Sequence, residues 1–120
     1  GACGACTVIM DGRPVNSCLV LAVTADGRKV ETTESLGSPQ KPHILQKAFM
    51  DGGAIQCGFC TPGMLMSATA LLDRTLNPTD REIREALDGN FCRCTGYIQI
   101  IESVKEAARR LREARKDKNK

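Results

Sequence analysis

The spacing of apolar positions changes once along this chain, across Gly37-Ser38-Pro39-Gln40-Lys41-Pro42. Before that stretch the signals are strands and turns. Thr7-Val8-Ile9-Met10 is a β-prone run, and Asp11-Gly12 after it is a strong hairpin turn pair. Pro14 restricts the next segment to an edge or irregular strand. Cys18 to Ala25 is apolar and reads equally as a buried strand or a short helix. Asp26-Gly27 marks a second turn, and Arg28 to Thr33 predicts another strand.

Beyond the linker the pattern is helical. Pro42 suits a first helical position, and Ile44, Leu45, Ala48 and Phe49 share one face. Asp51-Gly52-Gly53 ends that helix. Thr61-Pro62 predicts the next start, with Thr61 as N-cap. Met64 to Leu72 is apolar nearly all round, so this second helix is expected at the centre. Asn77-Pro78 breaks it, and Thr79 with Glu82 forms a capping box for a third helix bearing Ile83, Ala86 and Leu87. Asp88-Gly89-Asn90 stops it, and a fourth helix begins near Gly96, with Ile98, Ile101, Val104, Ala108 and Leu111 on one stripe. The expected fold class is α+β. Residues 1–36 form a sheet-rich part, 37–41 a linker, 42–112 a compact four-helix domain and 113–120 a basic tail.

Composition adds one constraint. Apolar residues make up 42% of the 120 residues but aromatics only 3%, with no Trp and one Tyr. Such a core is thin, and bound metal is a common supplement at this size. No apolar run approaches the ~18 residues of a membrane span. No secretory leader is visible, although a chain that begins with Gly1 could have lost one. Residues 105–120 carry eight Lys or Arg against three acids, which leaves the first 104 at −2 within a net charge of +3. A basic end can bind nucleic acid or an acidic partner, but no aromatics interleave with it. A solvated helix end is the better reading, and no nucleic-acid partner is expected.

The chemistry lies in seven cysteines. Cys57, Cys60, Cys92 and Cys94 read C-x2-C-x31-C-x-C. Four thiolates are a full ligand set for zinc or for an iron–sulfur cluster. The odd count and the tight pairs argue against a secreted disulfide framework, so a reducing, cytoplasmic setting is expected. Both pairs precede helix starts, where unpaired N–H groups and the helix dipole favour an anionic centre. Cys3, Cys6 and Cys18 read C-x2-C-x11-C. They fit the last three ligands of a plant-type ferredoxin site, whose first Cys would fall five residues before Cys3, outside this chain. That spacing, with the helix-start placement, favours iron–sulfur over zinc. A zinc-stapled interaction module with a basic tail remains the alternative.

Three segments together closely resemble one family. They are Cys3-Gly4-Ala5-Cys6-Thr7-Val8 with Cys18, Gln56-Cys57-Gly58-Phe59-Cys60-Thr61-Pro62-Gly63-Met64, and Gly89-Asn90-Phe91-Cys92-Arg93-Cys94-Thr95-Gly96-Tyr97. The chain resembles the iron–sulfur small subunit of the molybdenum hydroxylases, the xanthine dehydrogenase, aldehyde oxidoreductase and carbon monoxide dehydrogenase type, over residues 1 to about 108. The resemblance implies a ferredoxin-like β-grasp, present here in part, followed by a four-helix bundle, each with a [2Fe–2S] cluster. It implies that Cys3, Cys6 and Cys18 bind the first cluster with a fourth ligand upstream. Cys57, Cys60, Cys92 and Cys94 would bind the second. It places Gln56 and Cys94 against the pterin. Molybdopterin would sit on a large subunit and FAD on a medium one, in a dimer of heterotrimers. The implied role is one-electron relay from molybdenum to flavin, with substrate chemistry on a partner.

Other residues carry plainer readings. Met64 and Met66 are expected as core filler and His43 as a surface residue at a helix start. Arg93, between two ligands, either tunes cluster charge or meets a partner, or is simply solvated. No catalytic nucleophile–base pair is visible.

Overall fold

The computed structural model describes all of residues 1–120. Three antiparallel strands form one sheet in the order β2-β1-β3: β1 is Thr7–Met10, β2 Arg13–Asn16 and β3 Val30–Glu31. Asp11 adopts a left-handed backbone at the β1–β2 hairpin, with φ 49°. Its carboxylate accepts the Lys29 N–H at 3.0 Å and an Arg28 guanidinium N–H at 3.0 Å, so the second turn is tied to the first. Pro14 lies on edge strand β2 opposite Ile9, where its missing N–H costs the ladder least.

One sheet expectation needs correction, and one open reading resolves toward its helical alternative. The strand expected over Arg28–Thr33 shrinks to Val30–Glu31, because Lys29 gives its N–H to Asp11 and Thr33–Ser35 turns into a short 3-10 helix. The apolar run Cys18–Ala25 is not a buried strand. It lies in and between two short 3-10 turns, Ser17–Leu19 and Ala22–Ala25, and exposes Leu19, Leu21 and Val23. Local hydroxyl bonds compete with strand pairing there: Ser17 donates to the Cys6 carbonyl at 2.8 Å and Thr24 to the Leu21 carbonyl at 2.7 Å.

Four helices follow: α1 Ile44–Asp51, α2 Thr61–Arg74, α3 Asp80–Leu87 and α4 Ile98–Lys118. Pro42 falls outside α1, since His43 is the N-cap; its Nδ1 accepts the Leu45 N–H at 3.2 Å. His43 therefore has a structural task and is half-buried, not a plain surface residue. Thr61 is the first residue of α2, and Cys60 takes the N-cap position, one residue earlier than expected. The Thr79 capping box forms as read, with Thr79 Oγ1 accepting the Glu82 N–H at 3.2 Å and Glu82 accepting the Thr79 N–H at 2.7 Å.

The core sits among the helices. Leu45, Phe49, Met64, Ile83, Ile100 and Val104 are fully buried there. Helix α1 packs on α4 and α2 on α3, while α2 also carries the sheet. Ile9 of β1 meets Met66 and Ala70 of α2, so both Met64 and Met66 are core filler. This makes α2 the shared wall of the sheet part and the helical part. At the far end, Arg109 bridges Glu106 and Glu113, and Arg110 reaches Asp51 at 2.7 Å, which pins α4 to the end of α1.

Candidate metal centre

Two loops carry the cysteines of the helical half. The loop before α2 presents Cys57, exposed, and Cys60, buried at the helix N-cap. The loop between α3 and α4 presents Cys92, buried, and Cys94, exposed. The two loops bring an inner and an outer set near one another: Cys60 and Cys92 are buried, Cys57 and Cys94 exposed, and cysteines of the opposite loop raise the pKa of Cys94 and, after burial, of Cys60. No three His, Cys, Asp or Glu side chains cluster tightly enough to clasp one ion. Four thiols on two converging loops are the donor set of a two-metal centre, with two thiolates to each metal.

The Cys92 loop is built to hold a thiolate. The Thr95 hydroxyl lies 3.1 Å from Cys92 Sγ, and the Thr95 N–H donates to the same sulfur at 3.4 Å. The Cys92 N–H donates to the Tyr97 hydroxyl at 2.9 Å, and the Tyr97 N–H to Thr95 Oγ1 at 3.1 Å. Tyr97 holds a left-handed backbone at the start of α4, with φ 71°, a conformation uncommon for a residue with a side chain.

These contacts divide the inner pair. Burial pushes the Cys92 thiol up, but the Thr95 hydroxyl and N–H, joined by the Cys94 N–H and the Cys60 thiol, together bring the group down to about 7. Burial pushes Cys60 up to about 11, helped by hydrogen bonding with Cys92 and by the nearby Cys92 and Cys57 thiolates. Cys94 is also raised, chiefly through its hydrogen bond with Cys57. Four thiolates so close repel one another, and cationic metal relieves that repulsion while stripping the protons. The donor set, its convergence from two loops and its N–H groups fit an iron–sulfur centre.

The sheet half holds the other three. Cys6 and Cys18 lie together, and hydrogen bonds from the Cys18 backbone and thiol bring Cys6 down to about 7. Cys3 is exposed on the same loop as Cys6. That loop meets the Cys92 loop directly: the Phe91 N–H donates to the Cys3 carbonyl at 2.8 Å. Gln56 and Cys94 are both exposed on the outer side of the helical group.

Three large apolar side chains on or next to the cysteine loops are exposed. Phe59 is 76% exposed, Phe91 54% and Ile98 69%. Thr95, Tyr97 and Asn90 were not legible as site residues in the sequence. Asn90 reads there as part of a helix stop and of the third resemblance segment, with no role of its own, and nothing in spacing says that a Tyr hydroxyl folds back five residues to the Cys92 amide. The available signals were position, since all three lie within three residues of a cysteine, and membership of the Gly89–Tyr97 segment that carries the resemblance.

Comparison with known proteins agrees with this geometry. Residues 32–105 match the [2Fe-2S] binding domain family. The nicotinate dehydrogenase small FeS subunit of Eubacterium barkeri is 52% identical over 110 residues, which span 92% of this chain and 70% of that protein. Quinoline 2-oxidoreductase from Pseudomonas putida 86 superimposes with a TM-score of 0.87 at 45% identity, covering 94% of this chain and 71% of that one. Aldehyde oxidoreductase from Desulfovibrio desulfuricans superimposes with a TM-score of 0.91 at 45% identity, covering 94% of this chain and 13% of that much longer one.

Proposed function

The chain belongs to the [2Fe–2S] binding domain family, and on that premise we propose that it is the electron-transfer subunit of a molybdenum hydroxylase-type oxidoreductase. When bound, the iron–sulfur centres supply one-electron steps between a two-electron donor, molybdopterin on a large subunit, and FAD on a medium subunit. The chain's own residues supply position and electrostatics. Cys57 and Cys94 hold the outer side, Cys60 and Cys92 the inner side, and Thr95 donates hydrogen bonds to the Cys92 sulfur. Substrate chemistry belongs to the partner.

The observation that carries this reading is the convergence of the Cys57–Cys60 and Cys92–Cys94 loops, with a buried and an exposed cysteine on each, inside a region that matches the [2Fe-2S] binding domain family. The exposure of Phe59, Phe91 and Ile98 on or next to these loops favours a docked subunit over a free-standing ferredoxin. Gln56 and Cys94 are exposed on the same loops, and we assign them the pterin-facing positions. Cys3, Cys6 and Cys18 hold a second [2Fe–2S] centre in this reading, completed by a fourth thiolate outside residues 1–120. The assembly is a dimer of heterotrimers in the cytoplasm. No helix is long and apolar enough to cross a membrane. A zinc-stapled interaction module finds no support in the family.

The test is elemental analysis of the complex purified without oxygen. About four iron and four sulfide per chain are expected, as two such centres require. Stoichiometric zinc with little iron would overturn the reading.

A further inference from the structure

We propose that Asn90 is a positioning residue that locks the Cys3–Cys6 loop onto the Cys92–Cys94 loop and so fixes the spacing of the two metal groups. The proposal rests on the two-centre reading above. Asn90 is only 5% exposed and sits where three stretches of backbone converge. With its amide nitrogen facing inward it donates to the Gly4 carbonyl at 3.1 Å and the Gly63 carbonyl at 3.3 Å, while its oxygen accepts the Ser67 hydroxyl at 2.7 Å. The opposite orientation would set the amide oxygen against two carbonyl oxygens, so the hydrogen-bond network assigns this one. Both amide hydrogens and the oxygen are then used.

The next residue completes the grip, because the Phe91 N–H donates to the Cys3 carbonyl at 2.8 Å. Consecutive residues 90 and 91 thus hold consecutive residues 3 and 4, and Cys92 follows at once. The contact leaves no room for side chains. A Cβ on Gly4 would overlap the Gly89 carbonyl oxygen, and one on Gly63 would overlap the Gly4 carbonyl oxygen. Ending α3 does not require this side chain. The Asn90 backbone N–H does that by donating to the Leu87 carbonyl at 2.9 Å, while the side chain reaches away to residues 4, 63 and 67.

The chemistry at the centre of the lock needs Asn. An ionised Asp cannot donate to the two carbonyls, and Ala donates to neither; the Gly4 carbonyl then keeps only its bonds from the Thr7 N–H at 3.0 Å and hydroxyl at 2.6 Å, and the tie to residue 90 is lost. Gly63 lies in the first turn of α2, three residues after Cys60, and Ser67 one turn further on. One amide therefore ties both cysteine loops to the start of α2, the helix whose N-cap is Cys60. Loosening it lets the two groups shift relative to each other without removing any ligand.

The test uses the iron-loaded complex of wild type, Asn90→Asp and Ser67→Ala. Hydrogen exchange at the Phe91 amide and the low-temperature EPR splitting between the two reduced centres are measured, with iron per chain and melting temperature alongside. At unchanged iron content, Phe91 exchange should accelerate at least tenfold in Asn90→Asp and less in Ser67→Ala, and the splitting should change in the same order. Should Asn90→Asp fail to fold, Ser67→Ala decides, because it removes only the bond that orients the amide. Lowered melting with unchanged exchange and splitting would overturn the proposal, leaving Asn90 a stabiliser only. A single iron–sulfur signal from wild type would instead refute the two-centre reading, and the exchange comparison would still decide whether Asn90 holds the loops.

Discussion

The Tyr97 hydroxyl accepts the backbone N–H of Cys92 at 2.9 Å, which ties the first residue before α4 to a metal-site cysteine. The bond offsets an unfavourable left-handed backbone at Tyr97 and fixes the loop from both ends. Tyr97→Phe keeps the ring in its half-buried place but leaves the Cys92 N–H without its partner. The expected cost is about 1–3 kcal/mol, the range for an unsatisfied buried donor. Urea denaturation of the iron-loaded protein measures it, and iron release to a chelator should quicken in parallel. An unchanged midpoint and release rate would show that water replaces the hydroxyl.

Gly63→Ala reverses the usual sign of a helix substitution. Inside a helix Ala is better than Gly by about 1 kcal/mol. Here the new Cβ would overlap the Gly4 carbonyl oxygen and crowd Asn90, and backbone does not move aside cheaply. Overpacking of this kind costs about 1–3 kcal/mol, so the net change should be destabilising. Denaturation midpoints decide the sign. Gly89→Ala serves as the control, because a Cβ there meets nothing within 4 Å.

The helices were largely legible because their signals are local. The capping box at Thr79, the all-apolar stretch of α2 and the stripe on α4 each need only a few neighbouring residues, although Ile98, expected on that stripe, is exposed and Ile100 is buried instead. The boundary errors at Pro42 and Thr61 arose where a side chain not expected to cap, His43, or a cysteine, Cys60, took the N-cap position. The sheet was less legible, since β3 shortens on account of a long-range bond from Lys29 to Asp11. Of the site, cysteine spacing grouped the thiols, but not which of them are buried and which exposed. That burial, and the Asn90 contact across 86 residues to Gly4, depend on how α2 is shared by both halves.

His43 should give the fold a pH dependence. Burial lowers its pKa below the ordinary 6.5, partly opposed by the Asp73 carboxylate. Its Nδ1 must be unprotonated to accept the Leu45 N–H. The folded state therefore binds its proton more weakly than the unfolded state. Stability from this group is complete above about 6.5 and falls as pH drops through 6.5 toward the lower folded value. Melting temperatures at pH 7.5 and 5.5 should differ more for wild type than for His43→Asn, which caps without titrating. The carboxylates Asp51, Glu82 and Glu106 have their pKa values lowered and stay ionised across this window, so they do not mimic the effect. Equal pH dependence in the two proteins would remove His43 from the account.

Phe59 tests whether the exposed apolar side chains near the cysteine loops form a docking face. It lies between Cys57 and Cys60 and is 76% exposed, so it contributes little to the fold of the chain alone. An exposed aromatic beside a metal site is the kind of anchor that carries several-fold more binding energy than its neighbours. Phe59→Asp should leave the melting temperature of the isolated chain unchanged, since no core contact is lost. In the assembled enzyme it should weaken association with the large subunit by at least 2 kcal/mol, about thirtyfold, as for a central hot spot made charged. Phe91→Asp should act in the same direction. Leu21→Asp, on the sheet half and also exposed, provides the comparison that separates a specific face from general stickiness. The measurement is the concentration at which the subunits dissociate on size exclusion, with iron content followed in each fraction. If Phe59→Asp assembles as tightly as wild type, Phe59 is solvent-facing and the large subunit must contact the centre elsewhere.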